Sequence, residues 1–296
     1  MHKAIPLYSA TINFHVVLLI ELFQPSPPVV KRCQIIFSDL QNIFKLFYTV
    51  HCCCCYQSGG YGETMINNLL NMFFPETCPV CMRPALDHAT APICAECWNS
   101  ICRYTGPACQ KCGKPLVSEA STTCGGCLQD EPAFVYARSF GLYDHALRKA
   151  INLLKYHNVR RLSRPLSDIL LRMNIPPADV VIPVPLHEKR LKQREFNQSA
   201  LFGKYVAQRL DLTLTLNCLV KLRNTAQQVG LSSQDRNKNI RKAFRVNHAE
   251  LIKGKDILLI DDVITTGATV RECSYVLKKA GAGNIYVIAL AHGVMD

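Results

Sequence analysis

The sequence lacks a hydrophobic run long enough to cross a membrane as a helix, which needs about 20 apolar residues. The apolar stretch at residues 14–23 is only about ten residues long, and His15 and Glu21 interrupt it. It also has neither the clearly charged start nor the small-residue cleavage site of a secretory signal. We therefore predict no membrane span and a cytoplasmic location.

Acidic residues are also scarce, with 22 Asp and Glu against 34 Lys and Arg and a formal net charge of +12. This basic balance favours anionic partners, either phosphorylated metabolites or nucleic acid. Charge alone does not choose between these two classes.

Residues 1–64 differ in pattern from the rest of the chain. Pro25, Pro27 and Pro28 follow the short apolar stretch, and residues 52–55 are a run of cysteines unsuited to regular metal geometry. We predict that translation begins at Met65. Residues 1–64 are then an extension from a wrongly assigned start, or a disordered segment.

Eight of the 16 cysteines form four CxxC pairs. They are Cys78, Cys81, Cys94, Cys97, Cys109, Cys112, Cys124 and Cys127. The first and third pairs lie 31 residues apart and the second and fourth 30, and the segment CPVCMRPAL is similar to CQKCGKPLV. This repeat predicts a double zinc ribbon over residues 65–130 that holds one or two structural zinc ions. In the simplest arrangement the first and second pairs bind one zinc ion, and the third and fourth pairs bind another. A crossed arrangement of the same pairs is the alternative. Free or redox-active thiols are a weaker alternative to metal binding.

A buried strand that ends in two acids is the clearest sign of a ligand site. Residues 257–260 are all apolar, as in a parallel strand covered on both faces, and Asp261 and Asp262 follow. A loop of small and hydroxyl residues then leads into a helix: Thr265, Thr266, Gly267, Ala268 and Thr269. Two acids suit the hydroxyls of a sugar, directly or through a cation, and a helix start suits a phosphate.

A second apolar strand at residues 179–185 ends in an abrupt proline-containing turn. The next ten residues contain His187, Lys189, Arg190, Lys192 and Arg194. At the same sheet edge as Asp261, these cations predict a pyrophosphate pocket, and a solvated basic helix start is the alternative.

Strands and helices alternate through residues 131–296, which predicts an α/β domain with a parallel sheet. Further strands are predicted at 134–143 and 284–290, and a helix at 144–156 whose Arg148, Lys149 and Lys155 lie on a solvated face. Residues 219–244 contain few apolar anchors and are interpreted as a mobile polar lid. Its candidates for contacting phosphate or acceptor are Arg223, Gln228 and Arg236.

Residues 65–296 resemble the ComF/GntX family, which joins a zinc ribbon to a domain like that of the type I phosphoribosyltransferases. The resemblance rests on the cysteine pairs, the acid-pair motif and three further blocks: LRKAINLLKY, VIPVPLHEKRLKQREFNQS and RNTAQQVGLSSQDRNKNIRKAF. Two departures are Glu195, where glycine is usual, and Lys221, where arginine is frequent.

The resemblance implies a parallel sheet with helices on both faces and binding of phosphoribosyl pyrophosphate with Mg²⁺. Asp261 and Asp262 would then hold the ribose hydroxyls and residues 265–269 the 5-phosphate. The pyrophosphate loop would comprise Val184, Pro185, Leu186, His187, Lys189, Arg190 and Arg194. The family also implies a link to DNA uptake or DNA utilization, without identifying an acceptor.

Two functions therefore compete. One is a transferase that moves phosphoribose from its pyrophosphate to an acceptor, a pentosyl transfer. The other is a non-catalytic protein that senses a nucleotide or acts as an adaptor, with single-stranded DNA or DNA uptake proteins as partners.

Overall fold

The computed structural model describes residues 76–224 and 240–293. The predictions for residues 1–64 and Met65, and the candidate lid residues Gln228 and Arg236, lie outside these ranges. No helix in the two described ranges combines the length and apolar character needed to cross a bilayer. The boundaries of the two predicted domains, 65–130 and 131–296, stay predictions, as does the cytoplasmic location.

Two small cysteine-rich units begin the described chain. The first ribbon (residues 76–99) contains the strands β1 (Glu76–Thr77) and β2 (Pro84–Ala85) and the helix α1 (Ala95–Asn99). The second ribbon (residues 108–129) ends in the helix α2 (Gly125–Gln129). Each helix begins directly after the third cysteine of its unit, Cys94 or Cys124.

A five-stranded parallel sheet follows in the order β3-β9-β8-β4-β5. Its strands are β3 (Tyr136–Leu142), β4 (Val180–Pro183), β5 (Thr213–Leu214), β8 (Ile257–Ile264) and β9 (Ile285–His292). A separate antiparallel pair consists of β6 (Leu219–Lys221) and β7 (Phe244–Val246). The longer helices are α3 (His145–Tyr156), α4 (Ser163–Leu171), α5 (Glu188–Arg194), α6 (Gln198–Leu210) and α7 (Ala268–Lys279). Single 3₁₀ turns occur at Arg160–Leu162 and Ala249–Leu251.

Alternate residues of the central strand β8 enter two different cores. Leu258 and Ile260 pack with α3, α4 and α6 on one face, whereas Ile257 and Leu259 pack with α7 and the β6-β7 pair on the other. All four residues are fully buried, which explains why the strand is apolar at every position. The α/β fold with helices on both faces is confirmed.

The two ribbons pack into different cores. The first ribbon contributes to the core that contains α3, α4 and α6, and the second ribbon contributes to the core that contains α7. The chain around the second ribbon also covers the edge strand β3, because Ala137 N–H donates to the Lys111 carbonyl at 2.7 Å and Tyr104 N–H to the Phe140 carbonyl at 2.9 Å. These bonds satisfy backbone groups that an open sheet edge would leave unpaired.

Several predicted elements need correction. Strand β8 does not end at residue 260 but continues to Ile264, because β9 supplies a pairing partner as far as His292. On α6, Phe202, Val206 and Ala207 are buried and Leu210 is exposed. Both ends of the predicted polar lid form the β6-β7 pair.

Candidate functional site

The crevice between β4 and β8 is the topological switch point of the sheet. From β4 the chain moves outward to β5, and from β8 it moves the other way to β9. The two strands stay joined at their carboxyl ends, where Val184 N–H donates to the Ile260 carbonyl at 2.9 Å. Ligands of open α/β sheets bind at such a point, because the loops diverge and leave a crevice.

The acid pair, Asp261 and Asp262, lies at this crevice and within β8. Asp261 Oδ1 accepts from the Asp262 N–H at 2.8 Å and from Ser199 Oγ at 3.3 Å. Burial, and next the charge of Asp262, raise the pKa of Asp261 to about 7. The pair therefore favours one negative charge at neutral pH unless a cation or a donor group approaches it.

Lys155 of α3 compensates the second acid. Its Nζ donates to Asp262 Oδ1 at 2.7 Å, and the two side chains are only 12% and 14% exposed. Burial is the largest influence and lowers the pKa of Lys155, but the charge of Asp262, the hydrogen bond to it and the nearby Tyr143 and Asp261 together raise that pKa. The prediction that Lys155 lies on a solvated face is wrong, because its side chain is largely buried against Asp262.

The threonine loop, residues 265–269, connects β8 to α7. Gly267 has a φ of +77° directly before the helix, a conformation that glycine adopts without strain. Ala268 N–H donates weakly to Thr266 Oγ1 at 3.4 Å, and no side chain caps the helix. A small hollow beside the loop is lined by residues of the threonine loop and also by Asp261. The N-terminal end of α7 can therefore bind an anion next to the acid pair.

The basic loop, residues 184–194, forms the other wall of the crevice. Val184 is buried in the core, so its backbone rather than its side chain is available. His187 caps α5 by accepting the Lys189 N–H at Nδ1, 3.1 Å away, and Lys189 itself is exposed. Burial, and next the charge of Arg194, lower the pKa of Arg190.

A second cation, Lys221 of β6, lies close to Arg190. Burial lowers the pKa of Lys221, and the neighbouring guanidinium of Arg190 lowers it further. Arg194 instead lies over the ring of Tyr156, 4.9 Å from its centroid. Arg190 of the basic loop thus has Lys221, a residue outside the loop, as a charged neighbour.

The residues that follow the basic loop hold it against β8. Glu195 ends α5 with a φ of +64°, the left-handed region in which glycine is favoured, so the departure at this position carries backbone strain. Asn197 Nδ2 donates to the Val184 carbonyl at 3.0 Å. Gln198 is 1% exposed, and its amide atoms have no hydrogen-bond partner among the described residues. A buried amide of this kind needs a water molecule or a ligand group.

Arg223, one of the residues predicted to belong to the lid, is exposed, and its guanidinium donates a hydrogen bond to the Arg241 carbonyl. This bond ties one end of the segment to the other but does not bring Arg223 to the acid pair. Pro185 and Leu186 are half-buried in the basic loop, and Thr265, Thr266 and Thr269 are half-buried in the threonine loop.

The eight paired cysteines form two sulfur tetrads whose ligand atoms lie within 4.8 Å of one another. The tetrads are Cys78, Cys81, Cys94 and Cys97, and Cys109, Cys112, Cys124 and Cys127. The Sγ atoms of Cys81 and Cys94 lie 3.5 Å apart, and those of Cys112 and Cys124 lie 3.6 Å apart. These distances are near the ~3.8 Å that separates two sulfurs on one tetrahedral zinc with Zn–S bonds of about 2.3 Å. The sequential pairing is therefore confirmed, and the crossed arrangement is wrong.

The two ribbons share the same local geometry, which supports the duplication. In the first, Met82 has a φ of 63° and its N–H donates to the Cys78 carbonyl at 2.8 Å. In the second, Gly113 has a φ of 73° and its N–H donates to the Cys109 carbonyl at 2.9 Å. Burial raises the pKa of Cys97 and of Cys112, so four thiolates together need a divalent cation.

One arginine of the α/β domain fastens each ribbon. Arg161 pairs with Glu76 and donates through Nε to the Ala91 carbonyl at 2.8 Å. Arg271 of α7 donates to Cys127 Sγ at 2.9 Å and to the Asp130 carbonyl at 2.6 Å. The second ribbon is thus bonded to the helix that starts at the threonine loop. Cys102 is exposed and belongs to neither tetrad.

Fold and site define this chain as a double zinc ribbon joined to a phosphoribosyltransferase-type domain. The family model "Double zinc ribbon domain" matches residues 69–128, and "Phosphoribosyl transferase domain" matches residues 197–293. Competence protein F of Haemophilus influenzae is 32% identical over 230 residues, which cover 74% of this chain and 98% of that protein. DNA utilization protein YhgH of Salmonella typhi is 31% identical over 225 residues, covering 73% and 96%.

The chain therefore belongs to the ComF/GntX family. Among solved structures, glutamine phosphoribosylpyrophosphate amidotransferase of Bacillus subtilis is 24% identical with a TM-score of 0.31, covering 43% of this chain and 25% of that one. A likeness of this size does not inform function.

Proposed function

We propose that the protein binds phosphoribosyl pyrophosphate with Mg²⁺ and transfers the phosphoribosyl group to an acceptor. The observation that carries this proposal is the meeting of three elements at one switch point: the acid pair, the threonine loop at the start of α7, and the basic loop bonded to β8 through Val184. Each element suits one part of the donor, namely its hydroxyls, its 5-phosphate and its pyrophosphate.

The residues would act by positioning and charge. The carboxylates of Asp261 and Asp262 accept hydrogen bonds from the two ribose hydroxyls, and the N–H groups of the threonine loop hold the 5-phosphate. Arg190 and Lys221 face the pyrophosphate as it leaves with the electron pair of its bond to C1. A Mg²⁺ held by carboxylate and phosphate oxygens would neutralise part of the pyrophosphate charge.

The raised pKa of Asp261 fits this chemistry. A buried acid beside a second acid is stabilised when a cation or two hydroxyl donors arrive, so donor binding is favoured over the empty crevice. Lys155 has a related part, because its ammonium donates a hydrogen bond of 2.7 Å to Asp262. Its ammonium also stands where it can contact a phosphate oxygen of the donor.

The same ion pair supports a second candidate function. Lys155 already occupies one oxygen of Asp262, and Asp261 is bonded to Ser199 and the backbone. A site with internally satisfied acids suits a non-catalytic protein that senses a nucleotide and acts as an adaptor for DNA or for a DNA uptake protein. The names of the relatives, Competence protein F and DNA utilization protein YhgH, connect both candidate functions with DNA uptake or utilization.

Calorimetry with phosphoribosyl pyrophosphate and Mg²⁺ tests the donor site. We expect binding by the natural protein and at least a tenfold loss in Asp262→Asn, because that change removes the charge that faces the hydroxyls. Asp168→Asn is the matched control, since Asp168 is an exposed acid on α4 that accepts a hydrogen bond from the Tyr205 hydroxyl at 2.9 Å. Equal donor affinity in the natural protein and Asp262→Asn would refute the assigned role.

Release of pyrophosphate then separates the two functions. We expect release with single-stranded DNA, a free base or a nucleotide as acceptor, and no release by Asp262→Asn. Donor binding without turnover, together with salt-dependent DNA binding that survives Asp262→Asn, would establish the adaptor instead.

A further inference from the structure

A cleft of about 640 Å³ lies between the second ribbon and the threonine loop. Its lining includes Lys114, Asp130, Arg241, Lys242, Tyr275 and His292. It shares Ile264, Thr265, Gly267 and Ala268 with the hollow beside the acid pair. The volume lies in the range of small-molecule sites, and the shared wall makes the cleft continuous with the proposed donor site.

His292, the last residue of β9, is the buried polar group of this cleft. It is 3% exposed and pairs in register with Ile264, the residue before the threonine loop. Its Nδ1 lies 2.9 Å from the Gly293 carbonyl oxygen. Because a carbonyl can only accept, Nδ1 must carry the proton, and Nε2 is left as a hydrogen-bond acceptor.

The surroundings of His292 keep the ring neutral. Burial lowers its pKa, and the nearby ammonium of Lys114 lowers it further. Lys114 belongs to the second ribbon, where its carbonyl accepts the Cys109 N–H at 2.8 Å. The ribbon thus places a cation beside an acceptor nitrogen of the sheet.

The acids of the cleft are engaged, whereas several of its cations are not. Glu131 pairs with Lys111 at 2.7 Å, Asp130 lies 3.6 Å from Arg271, and Glu272 accepts the Lys242 N–H at 2.6 Å. Within the described ranges, the charged groups of Lys114, Arg241 and Lys242 show no ion pair. A ligand of the cleft should therefore combine a hydrogen-bond donor with negative charge.

We propose that this cleft binds the acceptor, an anionic nitrogen heterocycle whose ring N–H donates to His292 Nε2 and whose acidic group pairs with Lys114. The exposed ring of Tyr275, 57% accessible, offers an aromatic face for the heterocycle. The inference rests on the proposed transferase function and adds the acceptor class and its site.

The reaction balances with these groups. The ring nitrogen forms a bond to C1 of the ribose while the bond from C1 to the pyrophosphate oxygen breaks, and pyrophosphate leaves with that electron pair. The proton displaced from the ring nitrogen passes to His292 Nε2 and then to solvent. His292 is then a catalytic residue and Lys114 a binding residue that the ribbon contributes.

Calorimetry with ribose 5-phosphate and with the 5-monophosphates of uridine, cytidine, adenosine, guanosine and orotidine tests the site. Ribose 5-phosphate occupies the donor site alone, and each nucleotide adds a heterocycle. We expect at least one nucleotide to bind about tenfold more tightly, through the pair of its acidic group with Lys114 and the contact of its ring with Tyr275, because its glycosidic nitrogen no longer carries a proton for His292. Orotidine 5-monophosphate, with a carboxylate on its ring, should show the largest ratio.

Two variants test this assignment. His292→Asn keeps a donor for the Gly293 carbonyl but has no counterpart of Nε2, and Lys114→Met removes the cation. Lys114→Met should abolish the nucleotide advantage, whereas His292→Asn should keep it and abolish the release of pyrophosphate with a heterocyclic acceptor; ribose 5-phosphate should bind to both variants as before. Lys279→Met, which removes an exposed charge at the far end of α7, is the matched control.

The outcomes separate the two proposals. If phosphoribosyl pyrophosphate and ribose 5-phosphate bind but no nucleotide binds more tightly than ribose 5-phosphate, the cleft is not the acceptor site and the donor site stands. A nucleotide advantage that persists in Lys114→Met, or unchanged pyrophosphate release by His292→Asn, also overturns the assignment. If neither donor compound binds, the proposed function and this inference fail together.

Discussion

The ion pair between Lys155 and Asp262 allows a quantitative test of the site. At 2.7 Å, two unit charges attract by about 6 kcal/mol at an effective dielectric constant of about 20. Desolvation offsets part of this energy, but both side chains are less than 15% exposed, so either charge left alone is poorly solvated. Breaking a buried pair by removing one partner costs about 3 to 5 kcal/mol.

We therefore predict that Lys155→Met lowers the free energy of unfolding by about 3 kcal/mol at pH 7.5. This change also leaves Asp262 uncompensated beside Asp261. The double variant Lys155→Met/Asp262→Asn should cost clearly less than the sum of the single changes, with a coupling energy of about 2 kcal/mol. Urea denaturation of the four proteins, monitored by circular dichroism, measures both quantities.

The exposed pair Lys192 and Glu188 on α5 is the matched control. Its Nζ···Oε1 distance is also 2.7 Å, but the side chains are 76% and 75% exposed. The same cycle there, with Lys192→Met and Glu188→Gln, should give a coupling energy below about 0.5 kcal/mol. If the two cycles give equal coupling energies, burial does not strengthen the pair at the crevice, and Lys155 has no special relation to the acid pair.

Two further predictions concern Asp261 and the tetrads. The pKa of Asp261 is raised from 3.8 to about 7 in the folded state, so its stabilising effect is complete below pH 4 and is lost as the pH rises through 7. The Asp261→Asn variant should therefore have a higher free energy of unfolding than the natural protein at pH 8, by up to about 4 kcal/mol. This difference should vanish near pH 4. A difference that stays constant from pH 4 to pH 8 would contradict the raised pKa of Asp261. Metal analysis should find two zinc ions per chain and one in Cys127→Ser, with a lower melting temperature after chelation, because each tetrad is complete without the other. Well under one zinc per chain would disprove the tetrads as zinc sites.

Local patterns were sufficient for the elements whose chemistry is contiguous in the chain. The acid pair and the threonine loop are nine consecutive residues, and the strand that carries them is apolar for simple reasons of burial on both faces. The cysteine pairs fixed the ribbons in the same way, since two sulfurs three residues apart can share one metal. These features predicted the fold class and the place of the candidate site.

Contacts between distant residues could not be predicted by such patterns. Lys155 and Asp262 are 107 residues apart, and Arg271 and Cys127 are 144 apart. A lysine in the last turn of an amphipathic helix has the same sequence signal whether it meets water or a buried carboxylate. The end of β8 shows the same limit, because its length depends on the pairing that β9 offers and not on residues 261–264 themselves.

The sequence by itself therefore determined the α/β fold, the two cysteine units and the chemistry of the acid-pair loop, because each depends on neighbours in the chain. Only the tertiary structure decided which cysteine pairs join, which cation compensates Asp262, and that the second ribbon and His292 enclose one cleft. These contacts depend on how the helices and ribbons pack on the two faces of the sheet. Packing of this kind brings together side chains that no spacing in the sequence relates.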